Sequence, residues 1–365
     1  MISAGVENKS VSSSSHKVME QSGIKTFPDI FINFDNDDNL RDGASRVVSL
    51  IRSDWPKSAF KFKIFTDGIS NKLIGVYPDD AQKNEMILVR VYGAKTELII
   101  DRAAEVRNMQ VLSQVGCGCQ LYAQFGNGLA YEFLPGDTLT IESAKSDEIY
   151  PLVAEAMARM HKLVDFGPSV PKEPCMWKKM RMFLRQYPKD LQDQRLLDNN
   201  ITFQSMETEV ARLQEAIENK CQSPIVFTHN DLLLANIVVN DVTGRVSFID
   251  YEYGDYNYQE CDIANHFDEM AGVEEMDFVR QYPDPVFQRK WIKAYLTAFN
   301  DKGQPPSEER LESFCRNVDR FSLCYHLMWG LWGLVQASIS QIDFDFVAFG
   351  LSRLNEYFRV RDERL

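Results

Sequence analysis

Between residues 225 and 253 the chain reads IVFTHNDLLLANIVVNDVTGRVSFIDYEY, and this stretch constrains the fold more than any other. Two runs of β-forming residues, IVVN and VSFID, flank a turn at 241–244 that ends in glycine, the pattern of a hairpin. A hairpin there returns Asp250 to the side of Asn236, 14 residues earlier. An amide and a carboxylate side by side offer the hard oxygen donors that suit magnesium, which needs few protein ligands when phosphates supply the rest. Asp231, five residues before Asn236, can lie close to such an ion without binding it, free to orient a substrate hydroxyl or take its proton. A polar turn followed by a strand-capping aspartate would carry the same letters, so the weight falls on what surrounds the segment.

Strand-like segments at 61–65, 72–78 and 86–93 precede a helical run from residue 102, and two short strands, QLYAQF and GLAYEFLPG, follow it. This order predicts a small antiparallel sheet of five strands with one helix, ending near Gly136. A helix at 39–54, stopped by Pro56, comes before it, and helices at 147–163, 177–184, 205–220, 285–300, 307–339 and 344–358 fill most of the remainder. The fold class expected is α+β: a sheet lobe at 39–136, a larger, mainly helical lobe at 137–365, and a mostly disordered, serine-rich tail at 1–38. Forty Lys and Arg against 53 Asp and Glu leave a net charge of −13, which argues against a nucleic-acid partner, since phosphate backbones are gripped by basic clusters. Seven cysteines, an odd and sparse set, fit a reducing compartment, and the CxC at Cys117 and Cys119 lacks the partners of a zinc site. The N-terminus has no apolar secretory centre, and the apolar run from Leu323 is broken by His326 and Gln336. A cytoplasmic chain with no membrane insertion is expected.

The spacing D-x-x-x-x-N plus a later Asp resembles the catalytic loop of protein-kinase-like phosphotransferases, with His229-Asn230-Asp231 where protein kinases have His-Arg-Asp. In that light Arg90, in LVRVYG, is the cation for nucleotide phosphates, and Glu105 in the following helix could hold it in place. The turn Asp67-Gly68-Ile69-Ser70-Asn71 could hydrogen-bond phosphate oxygens. The run from HNDLLLAN through IDYEYGDYNYQECDIANHFDEMAG resembles the choline/ethanolamine kinase family, its ethanolamine branch most of all. FTDGISNKLIG, LVRVYGAKTELIIDRAAE, YEFLPG and WGLWGLVQASIS resemble that family's blocks in the same order, covering nearly all the chain after about residue 40.

The resemblance implies a protein-kinase-like two-lobed fold and ATP-dependent phosphorylation of ethanolamine to phosphoethanolamine, the first step of phosphatidylethanolamine synthesis. It implies Asp231 as the catalytic carboxylate, His229 as a brace of the catalytic loop, and Asn236 and Asp250 as magnesium ligands. Arg90 with Glu105, and Asp67, Gly68, Ser70 and Asn71, would serve the ATP phosphates, and Glu132, Phe133 and Leu134 would border the adenine. Glu252, Tyr253 and Asp262 would shape the site, Asp262 also as a buried brace of the loop. Glu269, Trp329 and Trp332 would meet the amino-alcohol headgroup. The two tryptophans, three residues apart, share a helix face, and an indole face stabilises an ammonium by roughly 0.5 to 2 kcal/mol.

A primary ammonium donates three hydrogen bonds, whereas a trimethylammonium donates none and prefers aromatic walls. The Leu-Leu-Leu-Ala spacer after Asp231 resembles the ethanolamine branch. Ala271 to Glu274, where many choline enzymes carry a further aromatic, and Phe349 in place of their late tyrosine weaken a complete cage. Ethanolamine is the expected acceptor, with a choline or dual kinase as the alternative. A small-molecule kinase of the antibiotic type would not need WGLWGLVQ. A catalytically inactive kinase-like binding module would not need Asp231, Asn236 and Asp250 together. A homodimer is left open by the sequence.

Overall fold

β-Branched residues recur at alternate positions of IGV and VRV, so one face of each strand is apolar, and that face finds a helix. In a computed structural model, which describes residues 23–65, 71–93, 100–188, 193–273, 275–340 and 342–365 (backbone alone at 81 and 82), Ile74, Val76, Val89 and Val91 are fully buried. They pack with Leu40, Ala44, Val47 and Val48 of a helix that starts where the Asn36 side chain accepts the Asn39 N–H at 2.9 Å. The contacts divide the chain into two units, residues 1–94 with 119–133, and residues 95–118 with 134–365.

The first unit holds β1 (Lys25–Phe27), α1 (Asp37–Ile51), β2 (Lys61–Phe65), β3 (Asn71–Tyr77), β4 (Ile87–Tyr92), β5 (Leu121–Phe125) and β6 (Gly128–Glu132). The sheet runs β1-β5-β6-β4-β3-β2, antiparallel except for β1, which lies parallel to β5 with Thr26 opposite Gln124. Six strands therefore stand where the sequence predicts five, and both β1 and the start of α1 fall inside the stretch expected to be tail. Lys-Thr-Phe is too short to announce itself; it is a strand because an existing edge supplies its hydrogen bonds.

The second unit is mainly helical: α2 (Arg102–Gln114), α3 (Tyr150–Leu163), α4 (Cys175–Arg185), α5 (Phe203–Lys220), α6 (Cys261–Glu269), α7 (Pro285–Phe299), α8 (Glu308–Ile339) and α9 (Phe346–Arg364). It also carries β7 (Asp137–Thr138), β8 (Ile225–Thr228), β9 (Ile237–Asn240), β10 (Arg245–Phe248) and β11 (Asp255–Tyr258), paired as β10-β9-β7 and β11-β8. The sequence order put α2 with the sheet; its contacts are with this unit, where the buried Asn108 amide donates to Gly254 O at 2.6 Å. Helices α8 and α9 approach along glycines. A Cβ on Gly330 would stand 2.6 Å from Leu354 Cγ, and one on Gly333 3.0 Å from Gly350 Cα, so the two backbones touch. No helix among the described residues is long and apolar enough to cross a membrane.

Candidate active site

The site is built on the segment the sequence singles out. Phe248 pairs with Ile237, and the ladder continues with the Ile249 N–H on Asn236 O at 3.0 Å, so the strand after the turn ends beside Asn236. There Asp250 takes a left-handed conformation (φ 64°), turning the chain into the helical turn Tyr251–Tyr253. Asn236 Nδ2 donates to Asp231 O at 2.9 Å and to its carboxylate at 3.3 Å, which leaves Asn236 Oδ1 as the acceptor end of the amide.

The catalytic loop is held from behind by α6. Asp262, fully buried, accepts the backbone N–H of His229 at 2.7 Å and of Asn230 at 2.8 Å, and Asn265 Oδ1 accepts that of Leu232 at 2.6 Å. Asn230 is left-handed (φ 65°), a conformation Asn tolerates. Its amide oxygen accepts from Thr228, Asn257 and Tyr325, and its Nδ2 donates to Tyr253 O at 3.0 Å. Behind Asp262 stands a relay. Gln259 donates to Tyr295 Oη at 2.9 Å, leaving the tyrosine proton for His161 Nδ1 at 2.7 Å, and His161 Nε2–H for Asp262 at 3.0 Å. His229 Nε2 lies 2.8 Å from Ile249 O, and burial pushes its pKa down, so the imidazole is a neutral donor that ties the loop to the hairpin.

Three carboxylates act on Asp231 here. Burial first, then Glu269, Asp250 and Glu252, push Asp231 well above the usual carboxylate range, and Lys179 opposes them. Carboxylate oxygens of Glu105, Asp250 and Glu252 lie within 4.8 Å of one another. Arg102 Nη1 reaches Glu105 at 3.0 Å and Glu252 at 3.4 Å. Closely spaced hard oxygens, with the free end of the Asn236 amide, fit a magnesium ion, and a divalent charge would relieve the repulsion.

The aromatic side of the site packs edge to face. Tyr253 meets Trp329 at 5.3 Å, Trp329 meets Trp332 at 5.7 Å, and Trp332 meets Phe346 and Phe349 at 5.8 and 5.6 Å. Trp332 Nε1 donates to Tyr253 Oη at 3.1 Å, while the buried Trp329 Nε1 has no hydrogen-bond partner. Glu269, expected at the headgroup, is engaged already: both its oxygens accept from Arg353 Nη2, at 2.8 and 3.0 Å.

Among residues expected at the nucleotide, Asp67, Gly68 and Ser70 lie outside the described residues. Asn71 opens β3 opposite Tyr92. Arg90 is buried on β4, its guanidinium carbon 5.8 Å from the centre of the Tyr131 ring. The Glu132 carboxylate accepts the Gln120 N–H at 3.0 Å, and the Phe133 N–H donates to Met86 O at 3.3 Å. Leu134 begins the second segment of the helical unit.

The sequence from residue 62 to 358 matches the family model for choline/ethanolamine kinase. The chain belongs to the choline/ethanolamine kinase family. Mouse ethanolamine kinase 1 is 37% identical over 92% of this chain and 93% of its own length, and human ethanolamine kinase 2 is 40% identical over 91% and 84%. A solved structure of an ethanolamine kinase from Plasmodium vivax superposes with a TM-score of 0.80 at 25% identity, covering 99% of this chain and 98% of that one. The small antiparallel sheet lobe and larger helical lobe are the fold of this kinase family.

Sequence reasoning passed over Lys179, Arg353, His161 and Tyr295. His161 was visible as the one histidine ending ARMHKL, and Lys179 as one of two adjacent lysines on the amphipathic CMWKKMRMFLR. Nothing local links either to a loop 50 or more residues away; the link is made by packing.

Proposed function

We propose that this chain transfers the γ-phosphoryl group of ATP to the hydroxyl of ethanolamine, giving phosphoethanolamine and ADP for phosphatidylethanolamine synthesis in the cytoplasm. The observation that carries the reading is the Asp231–Asn236 hydrogen bond beside Asp250, in the same unit as the Tyr253–Trp329–Trp332 wall. The relatives named above are ethanolamine kinases, which supports ethanolamine as the acceptor.

Asp231 aligns the hydroxyl and receives its proton as the bond to phosphorus forms. Its raised pKa makes the carboxylate a stronger base than an exposed one, provided cations keep it ionised. His229 stays neutral and braces the loop. Asn236 and Asp250 would hold magnesium, with Glu252 beside them. Bound there, the ion would neutralise charge on the phosphate oxygens. On the sheet unit, Arg90 and Asn71, at the start of β3, serve the nucleotide phosphates, with Glu132 and Phe133 at the adenine. Catalysis rests on positioning and electrostatics, with no covalent intermediate on the protein.

Choline is the second reading, favoured by the aromatic wall, because a quaternary ammonium binds ring faces. An ADP-release assay with ethanolamine, choline and the N-methylated intermediates, with and without magnesium, decides between them. Magnesium-dependent turnover highest with ethanolamine is expected. Turnover of choline alone, or of none of the four, would overturn the proposal.

A further inference from the structure

The aromatic wall already carries cations of its own. The Lys179 ammonium, from α4, lies over the Tyr253 ring at 5.0 Å from its centre and donates to the Tyr253 carbonyl. The Arg353 guanidinium, from α9, lies 5.5 Å from the centre of the Phe349 ring while gripping Glu269. Trp332 packs T-shaped against three rings, Trp329, Phe346 and Phe349. A trimethylammonium gains its binding energy from open ring faces and has no hydrogen to donate, so each occupied face removes part of its site. A primary ammonium satisfied by carboxylate and carbonyl oxygens loses much less.

Resting on the amino-alcohol kinase reading above, we infer that Lys179 is a specificity-determining residue, a built-in cation that fills the Tyr253 face and disfavours quaternary ammonium acceptors. Its bond to the Tyr253 carbonyl, shared with Asn230 Nδ2, fixes the ammonium beside the ring. Arg353 does the same at Phe349, but its buried ion pair makes it a poor test. Lys179 is half-buried and faces no such constraint.

Two variants separate charge from hydrogen bonding: K179Q keeps a donor for the Tyr253 carbonyl without the charge, and K179R keeps the charge. The quantity read is the choline-to-ethanolamine ratio of kcat/KM, with thermal melting to confirm the fold. K179Q should raise the ratio by about three- to thirtyfold, through the amino-alcohol KM and not the ATP KM, while K179R stays within about twofold of the wild type. An unmoved ratio in K179Q, or an equal rise in K179R, overturns the role. Wild-type protein that phosphorylates neither amino alcohol instead overturns the kinase reading, and this inference with it. A binding comparison needs no variant: tryptophan fluorescence titrations of the wild type should show methylammonium binding more tightly than tetramethylammonium. The reverse order would overturn the inference.

Discussion

The catalytic loop and the aromatic wall share one helical unit, yet they are held in opposite ways. The backbone N–H groups of His229, Asn230 and Leu232 each end on a side-chain oxygen of α6, and the Asn230 side chain is saturated with partners. The wall is held by ring edges, and buried donors there, Trp329 Nε1 with Arg353 Nε and Nη1, have no hydrogen-bond partner. Directional bonds fix an atom to within tenths of an ångström, as in-line transfer requires. Edge packing fixes a shape and leaves it adjustable. On the proposed function, the loop would serve position and the wall selection.

That contrast breaks first at Asp231. D231A should lower kcat by about 10²–10⁴-fold with ATP affinity little changed, read by turnover and by nucleotide titration. Wild-type-like turnover would remove the carboxylate from the mechanism. D262A should strike both stability and rate, because it strands two buried backbone N–H groups and the His161 N–H. About 3–5 kcal/mol of unfolding free energy should be lost in urea titrations, with kcat down at least about tenfold.

Acid tests the loop's packing separately. His266, its Nδ1 3.4 Å from Leu232 O, is pushed down to about 4 by burial, against an ordinary value near 6.5. The unfolded chain therefore takes up a proton below about pH 6.5 while the folded chain does not. Stability from this group is full above that pH and is lost as pH falls toward 4. Between pH 7 and 5 the wild type should lose about 2 kcal/mol more than H266Q, measured by urea unfolding at the two values. Equal losses would show that the imidazole does not titrate this way. The smallest effect belongs to the wall: W329L should raise the amino-alcohol KM by about three- to tenfold and leave the ATP KM within twofold. Equal changes in both would return Trp329 to core packing.

What could be read in the sequence follows the same division. The loop, the hairpin, Asp250 and Glu252 lie within 31 residues, His229 to Gln259, where turn residues and strand alternation are informative on their own. The Trp329–Trp332 pair was legible from helical spacing. Lys179, Arg353 and the His161–Tyr295 relay were not, since each acts through a partner brought near only by helix packing. Arg353 shows the cost of this: Glu269, expected from sequence at the headgroup, is clasped by a residue 84 positions on that the sequence reading did not name. Strand β1 was missed for a related reason, as three residues on a sheet edge carry no periodicity.

The glycines between α8 and α9 act as a gauge. Trp329 and Trp332 ride on one helix, Phe349 and Arg353 on the other, so the contact of Gly330 and Gly333 with the α9 backbone sets the distance between the two halves of the wall. A single methyl inserted there would work as a shim, spreading the rings without altering any of them. If the wall meets the alcohol as proposed, the bulk it admits would be reset by residues that never touch it.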